Sequence, residues 1–232
     1  KMGGLLPNLY RQMAGAPVVL DFLDPSDTFG RGTLPGGSAR RELTLADGRR
    51  VRVTMIDAAV PSVFVAAGDV AGDTRSHPGA IDEDTTLLDR LEDIRRQASV
   101  MMGLSPDLQA AERRIATPKV AMVGPAAEYR DIAGITHSTE TQDLQIRMIS
   151  AGQAHRAVPV TGALALACAA VVEGSVVSAC LSQGADPLNL RIATPSGIVT
   201  VGATRDAESG VISAARIVRT QRRLMDGHVY IP

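Results

Sequence analysis

From Ser150 to Ala165 the chain runs Ser-Ala-Gly-Gln-Ala-His-Arg-Ala-Val-Pro-Val-Thr-Gly-Ala-Leu-Ala, a polar loop leading into an apolar stretch. If that stretch is a helix, the N–H groups of its first turn lack intrahelical partners, and the helix dipole adds about half a positive charge there. Thr161 and the bare Gly162 would let a carboxylate approach those donors, so the chemistry on offer is anion binding. Pro159 and Thr161 equally suit a plain helix start, and Gly162 equally suits close packing. Burial favours the ligand reading, because an enclosed helix start needs partners for its orphan donors.

Three other residues could take part, and a fourth, Cys168, could not. His155 titrates near neutrality and could contact a ligand or move a proton, or simply sit in a loop. Asp57 ends a strand ahead of Ala58-Ala59-Val60-Pro61-Ser62, where it could face a pocket or cap the turn. Lys119, the one lysine besides Lys1, is either a solvated edge residue or, if desolvated, a base. Cys168 lies inside the apolar stretch and reads as inert packing. GxGxxG, HExxH, GxSxG and a P-loop are absent. His77, His137, His155 and His228 are scattered without metal-ligand spacing, so no metal is expected.

The elements that must position these residues follow from periodicity. Val18 to Leu23 reads as a strand, followed by an irregular loop rich in glycine, proline and aspartate up to Gly37. Arg41 to Leu45 and Arg49 to Asp57 alternate about Asp47-Gly48, a hairpin with a type I′ turn or a bulged variant of it. Val63 to Val65 is a further strand. Asp82 to Gly103 is an amphipathic helix with acidic residues in its first turn and Leu87, Leu88, Leu91, Ile94, Ala98 and Met101 on one face. Strands are expected at Pro118 to Val123, Asp143 to Ile149, Ser175 to Leu181, Asn189 to Ala193, Gly197 to Ala203 and Val211 to Arg219. Val158 to Val172 is apolar on every side, and a helix of that kind must be enclosed all round. The expected fold is α+β, a mixed sheet curled around a central buried helix.

With 232 residues the chain is long enough to bury a sizeable core. Its 24 basic and 25 acidic residues balance, which argues against nucleic-acid or anionic-membrane partners. Six aromatics and no tryptophan give no stacking platform. Two cysteines outside any CxxC pair fit a reducing, cytoplasmic compartment. No apolar run reaches the roughly 20 residues of a membrane span, and no secretory signal is visible. A lysine ahead of the first methionine reads as the opening of a piece of a longer protein.

Several segments in order resemble the PrpF family of cofactor-free isomerases, which have the diaminopimelate epimerase-like fold. They are Val19 to Pro25, Met55 to Val65, Gln142-Asp143-Leu144, Ser150-Ala151-Gly152 with His155-Arg156-Ala157, Thr161-Gly162-Ala163, and the ending Arg219 to Pro232 with Arg223 to Gly227. The resemblance implies two similar halves, each a sheet around a helix, with the active site in the cleft between them. It implies a proton shift or isomerisation within a small unsaturated di- or tricarboxylate such as 2-methylaconitate or aconitate, with no cofactor. By the same resemblance Ser150, Gly152, His155, Thr161, Gly162 and Ala163 would line the substrate side, while His155, Asp57 and Lys119 are the catalytic candidates.

The family's first half, with its glycine-rich start, lysine and Cys-Gly-Asn segment, has no match in Lys1 to Pro17. Residues 1–232 are therefore expected to be the C-terminal half, mainly the second domain, with 211–232 able to return to the absent first domain. A small polycarboxylate, that N-terminal domain and a second copy in a homodimer are the expected partners, and an exposed apolar docking face should result. Pro159 stands where related epimerases carry a catalytic cysteine, which disfavours an amino-acid epimerase or racemase. Val60 and Gly36 replace an asparagine and a threonine common among relatives. A non-catalytic carboxylate-binding module is the other reading.

Overall fold

Residues 16–221, 225–228 and 230 are described in a computed structural model of the protein. Lys1 to Gly15, Arg222 to Leu224 and part of the matched ending lie outside the described residues. The strands are β1 (Ala16–Leu23), β2 (Arg41–Thr44), β3 (Arg50–Ala58), β4 (Val60–Ala66), β5 (Lys119–Pro125), β6 (Tyr129–Arg130), β7 (Thr136–His137), β8 (Leu144–Ser150), β9 (Gln153–Ala154), β10 (Leu190–Thr194), β11 (Gly197–Arg205) and β12 (Ile212–Gln221). The α-helices are α1 (Pro78–Glu83), α2 (Thr85–Met101), α3 (Leu108–Arg113) and α4 (Val160–Ala170). One mixed sheet runs in the order β1-β12-β11-β10-β8-β5-β4-β3-β2, with β9 paired to β8, while β6 and β7 pair separately.

Side-chain alternation along each strand decides which helix it serves. In β4, Val63 and Val65 pack with α2, whereas Phe64 packs with α4. In β5, Val120 and Met122 join the first group, and Ala121 and Val123 the second. Every residue of α4 from Gly162 to Ala170 is buried, as its unbroken apolar character requires. The same helix touches β3 and β4 on one side and β11 and β12 on the other. Strands so far apart in the sheet meet one helix because the sheet curls around it. The expected mixed sheet about a central buried helix is what forms.

Some boundaries differ from those expected. The helix expected from Asp82 starts at Thr85, because Asp84 caps it by accepting from the Leu87 N–H at 2.9 Å. Asp82 and Glu83 belong to the preceding short helix α1, so no acidic residue stands in the first turn of α2. His77 caps α1, its Nδ1 accepting from the Gly79 N–H. The hairpin turn is the bulged variant: Gly48 has φ +81° and its N–H donates to Leu45 O, while Leu45 N–H donates to Arg49 O.

Ser175 to Leu181 is not a strand. The Ser175 hydroxyl donates to Ala169 O and accepts from the Ser178 N–H, folding the chain into turns beyond α4. Serine competes with ladder hydrogen bonding, and that outweighs the β-branched residues between.

Strand β1 lies at the edge of the sheet, paired with β12, and exposes Val19, Leu20, Phe22 and Leu23. No helix among the described residues is long and apolar enough to cross a membrane.

Beneath β8 lies a polar layer that periodicity alone did not reveal. Asp143 receives a fork from Arg191, with Nη2 to Oδ1 at 2.5 Å and Nε to Oδ2 at 3.1 Å, and also accepts from the Arg191 N–H. Burial pushes its carboxyl up, but these bonds together outweigh that and hold it below its ordinary 3.8. In this range the unfolded chain binds more protons, so stability falls with falling pH. The contribution is present above pH 3.8 and lost as pH drops through the lower folded value. Urea midpoints measured from pH 5 to pH 2 should fall, and the fall should be shallower in Arg191→Met.

Candidate anion site at the start of the buried helix

Strand register brings the first group of candidates together. Val120 pairs with Ile149 in the antiparallel β5–β8 ladder, so one step further Lys119 stands opposite Ser150. Lys119 shares its strand face with Ala121 and Val123, and Ser150 shares its face with Ile146 and Met148, so both point toward α4. The Lys119 ammonium donates a hydrogen bond to the Ser150 hydroxyl. Ser62 pairs with Lys119 from β4 and adds a second hydroxyl to this layer, its Oγ donating to Val60 O. Sequence reading missed Ser62, because nothing local shows that it and Lys119 become neighbours.

The start of α4 lies at the same level. Met148 packs so close to Gly162 that a Cβ there would meet its Sδ at 2.5 Å and displace the tip of the Met148 side chain, so this glycine permits close packing. Pro159 provides no side-chain cap, and Ala163 N–H donates to Pro159 O at 2.9 Å. Ala163 is fully buried and brings no free donor. The N–H groups of Thr161 and Gly162 have no acceptor among the described residues, and the Thr161 side chain is exposed.

His155 completes the layer. Its N–H donates to Met148 O at 2.8 Å, and its Nε2 is buried without a partner among the described residues. Burial lowers its pKa below 6.5, and the Lys119 charge lowers it further. Burial likewise lowers the Lys119 pKa below 10.5. No carboxylate forms an ion pair with Lys119 among the described residues.

A tight hairpin carries Ser150 into this position. Ser150 pairs with Gln153, and the two residues between them, Ala151 at φ +51° and Gly152 at φ +77°, both have the positive φ of a type I′ turn. Asp82 secures the far strand by accepting from Ala154 N–H at 2.7 Å. An alanine in the left-handed region costs about 1–2 kcal/mol. Ala151→Asn should therefore raise stability by about 0.5–1 kcal/mol, read as a melting temperature higher by about 2–3 °C.

Asp57 stands apart from this group. It shares its strand face with Val53 and Met55, away from α4, and is 2 % exposed. Its carboxylate accepts from Thr28 Oγ1 at 2.6 Å and Phe29 N–H at 2.9 Å, clamping the loop after β1. The turn-capping role is the one observed. Cys168 is fully buried, and burial pushes its thiol up to about 12, which leaves it neutral and inert.

A half-buried ammonium, an unpartnered imidazole nitrogen, a serine hydroxyl and a helix start with unspent N–H groups thus converge at one pole of α4. What such an arrangement can do is bind a small anion and stabilise negative charge that grows on it.

Comparison with known proteins agrees with the family resemblance given above. The chain is 32% identical over 222 residues to the 2-methyl-aconitate isomerase of Shewanella oneidensis, covering 94% of this chain and 56% of that protein. It is 32% identical over 221 residues to the 3-methylitaconate isomerase of Eubacterium barkeri, covering 93% and 57%. A crystal structure of methylitaconate-delta-isomerase superposes with a TM-score of 0.84 at 30% identity, covering 93% of this chain and 56% of that one. The chain thus spans a little over half the length of the relatives it matches, and it has the diaminopimelate epimerase-like fold. A family model described as PrpF protein matches residues 11–232, and the chain belongs to the PrpF family.

Proposed function

We propose that this chain forms the carboxylate-binding side of a cofactor-independent isomerase acting on a small unsaturated di- or tricarboxylate. One observation carries the reading: the half-buried Lys119 ammonium lies on the α4 side of the sheet, bonded to Ser150 and with no carboxylate of its own among the described residues. Holding a cation there has a desolvation cost that a bound anion offsets. In the proposed reaction a base removes a proton next to a carboxylate, and the double bond shifts or changes geometry. Charge then builds on the carboxylate oxygens, where Lys119 and the Thr161 and Gly162 N–H groups strengthen their hold. Ser150 anchors the ammonium, and the unpartnered Nε2 of His155 is a further contact for substrate oxygen.

The base is proposed to come from the additional length that the relatives carry, docked as a first domain on the exposed apolar face of β1. Proton NMR in D₂O with a panel of unsaturated polycarboxylates tests this. The chain should bind them without exchanging their allylic protons, and a form as long as the relatives should exchange them. Exchange by the chain alone would return the base to Lys119 or His155. Binding without exchange by either form would favour a carboxylate-binding module.

A further inference from the structure

At the opposite pole of α4 lies a cavity of about 210 Å³ that the reaction does not use, walled by Arg40, Arg52, Asp69, Val176 and Cys180 among others. Ser62, the partner of Lys119, is near the start of β4, whereas Ala66 at the end of β4 borders this cavity. The 11 residues of α4, about 16 Å of helix, separate the two.

The cavity has a rigid floor. Thr54 Oγ1 donates to Ala39 O at 2.7 Å and accepts from Val176 N–H at 2.8 Å, tying the loop before β2 to the turns after α4. Arg40 is held by one bond, Nη2 to Ser175 O at 2.9 Å. Its Nε is buried and has no acceptor among the described residues. Arg52 projects from the same face of β3 as Thr54, and neither arginine forms an ion pair with a carboxylate among the described residues.

Asp69 is the one carboxylate on the wall, and burial keeps the Cys180 thiol neutral. Arg40 and Arg52 thus border a space large enough for several waters or one small oxyanion, and the exposed Arg52 guanidinium has donors to spare. The lone carboxylate selects among oxyanions. Sulfate and a carboxylate ligand have only acceptors at neutral pH and would meet Asp69 with repulsion. Hydrogen phosphate carries an O–H that can donate to Asp69 while its other oxygens accept from the arginines.

We propose that this cavity is a second anion site, distinct from the site at Lys119, that takes hydrogen phosphate.

Isothermal titration of the chain with sodium phosphate and with sodium sulfate, at pH 7 and constant ionic strength, tests it. Phosphate should bind at least tenfold more tightly than sulfate. Lys119→Met should leave that binding intact, which separates this site from the carboxylate site whatever becomes of the isomerase reading. Arg40→Met and Arg52→Met should each weaken phosphate at least tenfold, and Asp69→Asn should remove the preference over sulfate. Arg40 also holds Ser175, so the exposed Arg52 variant decides the matter if Arg40→Met does not fold. Equal binding of the two anions, no saturable phosphate binding, phosphate binding that survives Arg52→Met, or phosphate binding lost in Lys119→Met would each overturn the proposal. Glycerol phosphate, mostly a dianion without an O–H at pH 7, should bind more weakly than phosphate, and equal binding of the two would overturn the role given to Asp69.

Discussion

Lys119→Met should weaken binding of an unsaturated di- or tricarboxylate about 30-fold, measured by titration calorimetry on the chain. A hydrogen bond to a charged partner is worth about 1.5–3 kcal/mol, and about 2 kcal/mol corresponds to that factor. The same substitution should leave the melting temperature unchanged or slightly higher. Burial disfavours the charged lysine, so the native state carries its desolvation cost and gains no ion pair in return. A loss of binding without a loss of stability is what separates an anion anchor from a structural residue.

The pH dependence has a definite sign. Lys119 binds an anion only when protonated, and its pKa in the folded protein lies below 10.5. Affinity should therefore stay level from neutral pH upward and then decline before pH 10.5 is reached. An affinity unchanged by Lys119→Met would sink the proposed site.

Arg95→Ala should cost about 3–4 kcal/mol of folding stability, from lost hydrogen bonds, orphaned carbonyls and a cavity. Arg95 is 2 % exposed on the inner face of α2. Its Nη1 donates to Arg114 O and its Nη2 to Ala111 O, each at 2.7 Å, capping carbonyls at the end of α3, of which Ala111 O also accepts from the Arg114 N–H. Glu92 grips the same guanidinium at 2.6 Å through both its carboxylate oxygens. A longer bond, Nη1 to Thr117 O at 3.4 Å, reaches the segment that leads into Lys119. Urea denaturation should show the loss, with a melting temperature lower by about 10 °C. Arg95→Lys should recover only part of it, because one ammonium cannot span the carbonyls that the planar fork reaches. Carboxylate affinity should also drop modestly in Arg95→Ala, through the loosened approach to β5.

The elements most legible from sequence were those whose pattern is complete within one segment. The apolar stretch around α4 could only be an enclosed helix, and Asp47-Gly48 between alternating runs could only turn a hairpin. Capping was harder to read. Asp82, Glu83 and Asp84 are equivalent as acidic residues near a helix start, and only the folded backbone shows that Asp84 caps α2 while Asp82 holds β9. Ser175 to Leu181 failed as a strand because a serine hydroxyl satisfied the backbone first.

The sequence by itself determined the enclosed helix, the polar loop ahead of it and the ordered segments that mark the family. It also supplied Lys119 as a lysine isolated in the chain. Tertiary structure decided which candidates meet. Lys119 and Ser150, 31 positions apart, become neighbours through the register of β5 on β8, and strand parity turns both toward α4 while turning Asp57 away. Side-chain direction along a strand follows from its sequence up to a twofold choice of face, and that choice is made by which neighbour each face must bury. Register and burial are properties of paired strands, so the proposed anion site can form only once the sheet has closed around its helix.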